Sequence, residues 1–222
     1  MKRSLILIPA FLFLVQISKA QTEKGSQTLG VNLGFEYFEQ SGVNISTADN
    51  SLTAESTKYT SFSVGPSYSY FIADNLDLGA TLNYSLNNYN YGPDNYYITR
   101  QDNKNYGGTV FLRKYVLYKN KIGFRVGPYF GYSIGDQKFI YTWQFNTNNS
   151  DSKSNSYQGG ANLDLVYYPT KHLGVSISLA NLDYEHTRTN SGAQGFANED
   201  GVNFDFVNNN LAVSLLYVFG GR

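Results

Sequence analysis

The chain has 222 residues, with 17 basic and 17 acidic side chains, no cysteine, 16% aromatic residues and only 15% charged ones. A soluble domain carries about 25% charged residues, so this composition points to an apolar environment. The missing cysteines exclude a disulfide framework and thiolate metal or redox chemistry, and with no basic excess nothing suggests a polyanion partner such as nucleic acid.

Met1–Ala20 reads as a secretory signal peptide: Lys2 and Arg3 form the basic start, Leu5–Ile17 the apolar core, and Ser18-Lys19-Ala20 the small-residue cleavage site. No cysteine follows the site, so lipid attachment there is excluded. The segment holds three of the 17 basic residues and none of the acidic ones, which leaves the mature domain, 21–222, at −3 (14 basic against 17 acidic).

The first strand is expected over Thr28–Phe38, with Leu29, Val31, Leu33, Phe35 and Tyr37 on one face and Gly30, Asn32, Gly34 and Glu36 on the other. Glu39–Lys58 follows as a polar loop. Ser61–Leu86 then alternates in two arms around Ala73-Asp74-Asn75. Phe62, Val64, Pro66, Tyr68, Tyr70 and Ile72 share a face in the first arm, and Leu76, Leu78, Ala80, Leu82, Tyr84 and Leu86 share one in the second. Period two on both sides of a tight polar turn is a β-hairpin. The opposite faces carry Gly, Ser, Asn and Thr with almost no long charges, and each arm is long enough for a membrane crossing, which takes about 9–11 residues.

Pro66-x-Tyr68-x-Tyr70-Phe71-Ile72-x-Asp74-Asn75-Leu76-x-Leu78-Gly79 resembles the first periplasmic turn of the small outer-membrane β-barrel domain family of Gram-negative bacteria. The resemblance implies a barrel in the cell outer membrane. It implies no particular activity, because the family has no single shared one.

Asn87–Asn105 is expected as a second long loop, and strand four follows near Tyr106–Tyr118, with Val110, Leu112 and Val116 outward and Arg113 inward. Lys114 falls on the outward face, where it has to snorkel toward the periplasmic surface. After the turn Lys119-Asn120-Lys121, strand five (Ile122–Ile134) sends Ile122, Phe124, Val126, Pro128 and Phe130 outward and Arg125 inward. Pro66 and Pro128 each remove a ladder donor, and a bulge is expected at both. Gly135–Ser156 is read as a third long loop whose first part, Phe139–Phe145, extends the hairpin. Strand six, Tyr157–Tyr168, points Leu163, Leu165 and Tyr167 outward and Asp164 inward, and Pro169-Thr170-Lys171-His172 turns the chain. Strand seven starts at Leu173 with Val175, Ile177 and Leu179 outward, and its alternation blurs near Asn181. A fourth loop, Glu185–Asn203, leads to a last strand ending Leu211, Val213, Leu215, Tyr217, Phe219.

The connections therefore alternate long and short, beginning and ending long. This is the pattern of an all-β, eight-stranded antiparallel up-and-down transmembrane barrel with four long external loops and three short periplasmic turns. Tyr70, Phe71, Tyr118, Tyr167, Tyr168, Tyr217 and Phe219 are expected to form one interfacial aromatic girdle, and Tyr37, Tyr59, Tyr106, Tyr132 and Tyr157 the other. Leu215-x-Tyr217-x-Phe219 resembles the C-terminal assembly signal of such barrels, although Gly220-Gly221-Arg222 follow the closing aromatic. It implies the barrel-assembly machinery as a partner, beside outer-membrane lipid, for a chain read as a monomer.

No constellation for catalysis, cofactor or metal emerges. Glu185-His186-Thr187, with Ser176 and Ser178 on the same strand, is the best candidate for acyl chemistry, yet no serine lies near His186 and no nucleophile elbow is present. His172 and His186 fall at opposite ends and cannot share a metal. The residues that stand out are a luminal charge cluster, structural or gating: Arg113, Arg125, Asp164 and Asp77 converge on the lower bore, with Glu36 placed higher. The expected pairing is Arg125 or Arg113 with Asp164. These residues leave three roles open: a non-enzymatic barrel acting through surface contact or envelope integrity, a narrow channel for small or apolar solutes, and an outer-leaflet lipid-modifying enzyme.

Overall fold

A computed structural model describes residues 22–45, 52–91, 99–143, 146–190, 195–206 and 212–220; the signal segment and the Gly221-Arg222 tail lie outside them. Nine strands follow in order: β1 Ser26–Ile45, β2 Leu52–Ala73, β3 Leu76–Tyr91, β4 Arg100–Tyr118, β5 Ile122–Trp143, β6 Asn146–Tyr167, β7 Leu173–Asn190, β8 Phe196–Phe206 and β9 Ala212–Gly220. Each pairs antiparallel with its neighbour from β1 to β7, and β9 closes the ring between β7 and β1. β8 pairs with the upper part of β7 and β9 with its lower part, so the two share the eighth stave. The fold is an all-β barrel of eight staves, the last one divided.

The short turns form because the residues there accept left-handed backbone. Asn75 has φ 60° between β2 and β3, and Lys119 and Asn120 have φ 49° and 55° between β4 and β5. Two successive positive φ values match the twist of a two-residue hairpin. In the third turn Thr170 Oγ1 accepts bonds from the backbone N–H groups of His172 and Leu173.

Alternation sorts the side chains. Leu29, Phe35, Leu82, Val110, Val116, Phe124, Val126 and Phe130 are exposed on the outside, where lipid takes the place of water. Tyr70, Tyr118 and Tyr217 lie exposed at the periplasmic rim, and Tyr37, Tyr106, Tyr132 and Tyr157 at the other. Lys114 directs its ammonium down to the Asp74 carbonyl at 3.1 Å. Three expected girdle residues are not in a girdle. Phe71 and Tyr168 are wholly buried, because each is one residue out of phase with the exposed face and points into the bore. Tyr59 shares the luminal face of Ser61 and packs on Tyr89 with ring centroids 4.6 Å apart.

The expected long loops are largely strand. β2, β5 and β6 each run 22 residues, roughly 70 Å of chain at about 3.3 Å per residue, far more than a tilted crossing of a hydrophobic band about 25 Å tall uses. The hairpins therefore continue outward from the membrane, and even the low-complexity run Asn146–Ser156 is paired along its length. Register explains why such polar sequence holds a sheet. Asp136 faces Lys104 on one side and Lys153 on the other, and Lys138 faces Asp102 and Asp151. Opposite charges across a ladder stabilise each pair by about 0.2–1 kcal/mol.

The prolines behave differently from expectation. Pairing is interrupted between Val64↔Tyr84 and Ser67↔Thr81, and again between Phe111↔Tyr129 and Lys114↔Val126, yet the register on either side is unchanged. There is no bulge at Pro66 or Pro128; the missing N–H opens the ladder toward one neighbour only, since Pro66 still faces Val31 and Pro128 faces Ala161. Bulges lie elsewhere: one in β2 beside the β2–β3 turn, between Phe71 and Ala73, and one in β7, where Leu163 pairs with Ala180 and Asp164 with Ser178, leaving Leu179 as the extra residue. The β7 bulge shifts the outward set from Val175 and Ile177 to Leu182 and Tyr184, which explains the blurred alternation.

Candidate functional site

The lower bore is filled from the walls. Phe71, Tyr115, Val166, Tyr168, Leu216 and Val218 form one buried cluster, with Leu117 against it. Each takes the inward phase of its strand beside apolar residues of the outward phase, so the strand ends are apolar on both faces. An eight-stranded bore is just wide enough for side chains to fill it. The Phe71 and Tyr115 rings pack at 5.3 Å. From beneath, Thr22–Gly25 docks on the β2–β3 turn: Asn75 N–H donates to the Thr22 carbonyl at 2.7 Å, and Gly25 N–H to that of Phe71 at 2.9 Å.

Two ion pairs lie above this cluster. Arg113 on β4 faces Asp77 on β3 and donates through Nε at 3.2 Å and Nη2 at 2.7 Å, with its guanidinium 3.7 Å from the Phe111 ring centroid. The Tyr115 hydroxyl donates to the same Asp77 carboxylate at 3.1 Å. Arg125 on β5 faces Asp164 on β6 and donates through Nε at 2.6 Å, while its Nη2 donates to Ser176 Oγ at 2.9 Å. Asn162 supplies further donors to Asp164 at 3.3 Å. All four charged residues are buried, none more than 8% exposed. Each guanidinium is thus neutralised by a carboxylate on a neighbouring stave, which makes the confined charges tolerable. Glu36, on the luminal face of β1, forms no ion pair among the described residues.

Above the pairs the bore widens into a cavity of about 410 Å³ lined by Asn32, Asn83, Gln158, Asn162, Asn181 and Ser214, with Arg113, Arg125 and Asp164 at its base. Amides and hydroxyls dominate this lining. The second luminal feature is acidic. Asp183 and Glu185 on β7 and Glu199 and Asp205 on β8 share the inward face, as the bond from Asn203 Nδ2 to Asp183 at 3.3 Å shows. Tyr129 of β5 lies within electrostatic range of Asp183, Glu185 and Asp205.

The residues considered for acyl chemistry are far apart. Ser176 is committed to Arg125 at the base of the bore, whereas His186 turns outward and meets Asp200 at 2.9 Å. Ten residues of strand separate them, roughly 33 Å. His172 Nδ1 lies 2.9 Å from the Val218 carbonyl in the periplasmic turn. No cluster of His, Cys, Asp and Glu suited to a metal occurs among the described residues.

Sequence reasoning overlooked the apolar cluster and the acidic face. Carrying the alternation to the strand ends finds the cluster. The acidic face requires the Leu179 bulge, whose only trace in the sequence is the blurred alternation near Asn181.

The sequence profile of one family, described as outer membrane protein beta-barrel domain, matches residues 19–185, more than half of the chain. Among solved structures, the outer membrane protein OprG from Pseudomonas aeruginosa is 15% identical over 91% of this chain and 100% of its own, with a TM-score of 0.46. Ail, the attachment invasion locus protein of Yersinia pestis, is 12% identical over 88% and 99%, with a TM-score of 0.38. Neisserial surface protein A is 14% identical over 88% and 100%, with a TM-score of 0.33. No curated protein sequence matches the chain.

Proposed function

The chain belongs to the outer membrane protein beta-barrel domain family, whose place is the outer membrane of Gram-negative bacteria, and on that premise we propose that it is a non-enzymatic barrel acting through its external strand extensions, in surface contact or envelope integrity. The observation that carries this reading is the filled lower bore. Two buried ion pairs and an aromatic and aliphatic cluster lie between the amide-lined cavity and the periplasmic end. A solute entering from outside meets a floor of paired charges, and moving it aside exposes either an unpaired arginine or an unpaired carboxylate in a confined space. Catalysis finds no support in the placement of His186 outside and Ser176 inside. The protein's mass is invested instead in hairpins that continue well beyond a membrane crossing.

Outer-membrane lipid is the surrounding partner in this reading, and the assembly machinery engages the chain through β9, whose Leu215 and Tyr217 face outward. The barrel works as a monomer and binds no nucleic acid. Single-channel recording in planar bilayers tests the proposal. The wild-type protein is expected to give no discrete conductance steps, and reproducible steps at neutral pH would overturn the reading in favour of a narrow channel.

A further inference from the structure

Among the described residues, the eighth stave leaves the barrel wall incomplete on its outer side. β9 pairs with β1 from Ser26↔Gly220 to Gly34↔Ala212, 9 residues, about the length of one membrane crossing. Beyond Gly34, β1 continues to Ile45 paired only with β2, and β8 is paired only with β7 and ends the sheet. Among the described residues, the upper edge of β1 and the far edge of β8 therefore flank one seam. Each carries backbone N–H and C=O groups that no other described strand meets.

A long exposed edge is a template for another extended chain. The side chains on the seam's two flanks specify what kind. Outward, Phe35 and Tyr37 on β1 and Val202, Phe204 and Phe206 on β8 are all exposed. Apolar flanks place the lower seam beside the lipid, where unpaired backbone groups are costly and a further strand relieves them. Inward, β1 carries Glu36 and β8 carries Glu199 and Asp205, with Asp183 and Glu185 of β7 beside them. Among the described residues no cation balances them on that face. Lys58, Arg100, Lys104, Lys138, Lys153 and Arg188 all take the outward phase of their strands, and the two inward arginines are engaged by Asp77 and Asp164 at the base.

We propose that this seam docks an extended basic polypeptide segment, which adds as a strand to the free edge of β8. Main-chain bonds to β8 supply the docking, and the alternation of the strand sorts its side chains. Lysines or arginines turn inward to the five carboxylates, and apolar residues turn outward to continue the surface of Phe204 and Phe206. The partner is thus identified by chemistry: an alternating basic and apolar segment presented at the cell surface. The proposal rests on the surface-contact reading and names its partner class.

The test uses the full mature protein in lipid nanodiscs. The probe is a fluorescein-labelled peptide that matches the 11 residues of β8 and alternates lysine with valine. Fluorescence anisotropy at low salt is expected to show saturable binding. N-methylation of alternate backbone amides should weaken it at least about tenfold, because the strand loses its main-chain donors while keeping its charge. Replacing lysine by glutamate should abolish binding. The double variant Glu199→Gln, Asp205→Asn removes two exposed carboxylates and should weaken binding about tenfold, with unchanged circular dichroism and gel mobility. Equal binding of the N-methylated peptide would reduce the effect to charge attraction and overturn the strand site. Equal binding of the glutamate peptide, unaltered affinity of the double variant, or no saturable binding would overturn it as well. These outcomes are independent of bilayer conductance, so failure of the docking site and failure of the closed-bore reading are distinguished.

Discussion

Replacing Asp164 by Asn isolates the electrostatics of the lower bore. The substitution keeps the shape and removes the charge facing Arg125, which is 4% exposed and bonded otherwise to Ser176. Breaking a buried ion pair by neutralising one partner costs about 3–5 kcal/mol, since the remaining charge stays desolvated. Here the lower end applies, because the amide oxygen still accepts from Nε and Ser176 still accepts from Nη2. The comparison that makes the number informative is the double variant Arg125→Met, Asp164→Leu. It removes both charges and fills the same volume, so it should lie within about 1 kcal/mol of wild type. Urea titration of the protein in phosphatidylcholine vesicles, followed by far-ultraviolet circular dichroism, measures both. A loss below about 1 kcal/mol for Asp164→Asn would mean that water already solvates the pair, well short of the buried-pair cost, and the argument for a closed floor would fail. A double variant as unstable as the single one would refute the electrostatic account and assign the effect to packing.

Three other perturbations bear on the fold. Leu82→Arg introduces a charge on the exposed lipid face and should cost about 2–4 kcal/mol, whereas Arg at the adjacent luminal Asn83, which bonds Thr109 at 3.0 Å, should cost less; equal losses in vesicle unfolding would mean the register is wrong. Gly174→Ala should destabilise by about 1–3 kcal/mol through overpacking, because a Cβ there meets the Tyr168 ring; the same titration checks it, and a neutral result would show the ring free to move. Lys138→Glu places a carboxylate between Asp102 and Asp151, so amide hydrogen exchange should accelerate in the outer parts of β4, β5 and β6 while the membrane crossing stays protected.

Period-two alternation is a local property, and it is sufficient to fix the β class, the three short turns and the side of the wall on which Arg113, Arg125, Asp77 and Asp164 lie. Phe71 and Tyr168 were legible by the same rule, since each follows an outward tyrosine and so turns inward. An aromatic residue near a strand end suits a girdle and a filled bore equally well; its phase decides between them. The outer strands were not legible, because nothing apolar alternates there. Asp136 finds Lys104 and Lys153, and Lys138 finds Asp102 and Asp151, only after three separate segments have taken one register. Likewise the pairing Arg125–Asp164, rather than Arg113–Asp164, follows from β5 and β6 being neighbours with those residues opposed. The Leu179 bulge and the divided eighth stave have the same origin. Alternation states which face a residue takes, but partners across a ladder are set by closure of the whole ring, where one extra residue in β7 shifts every side chain beyond it to the other face.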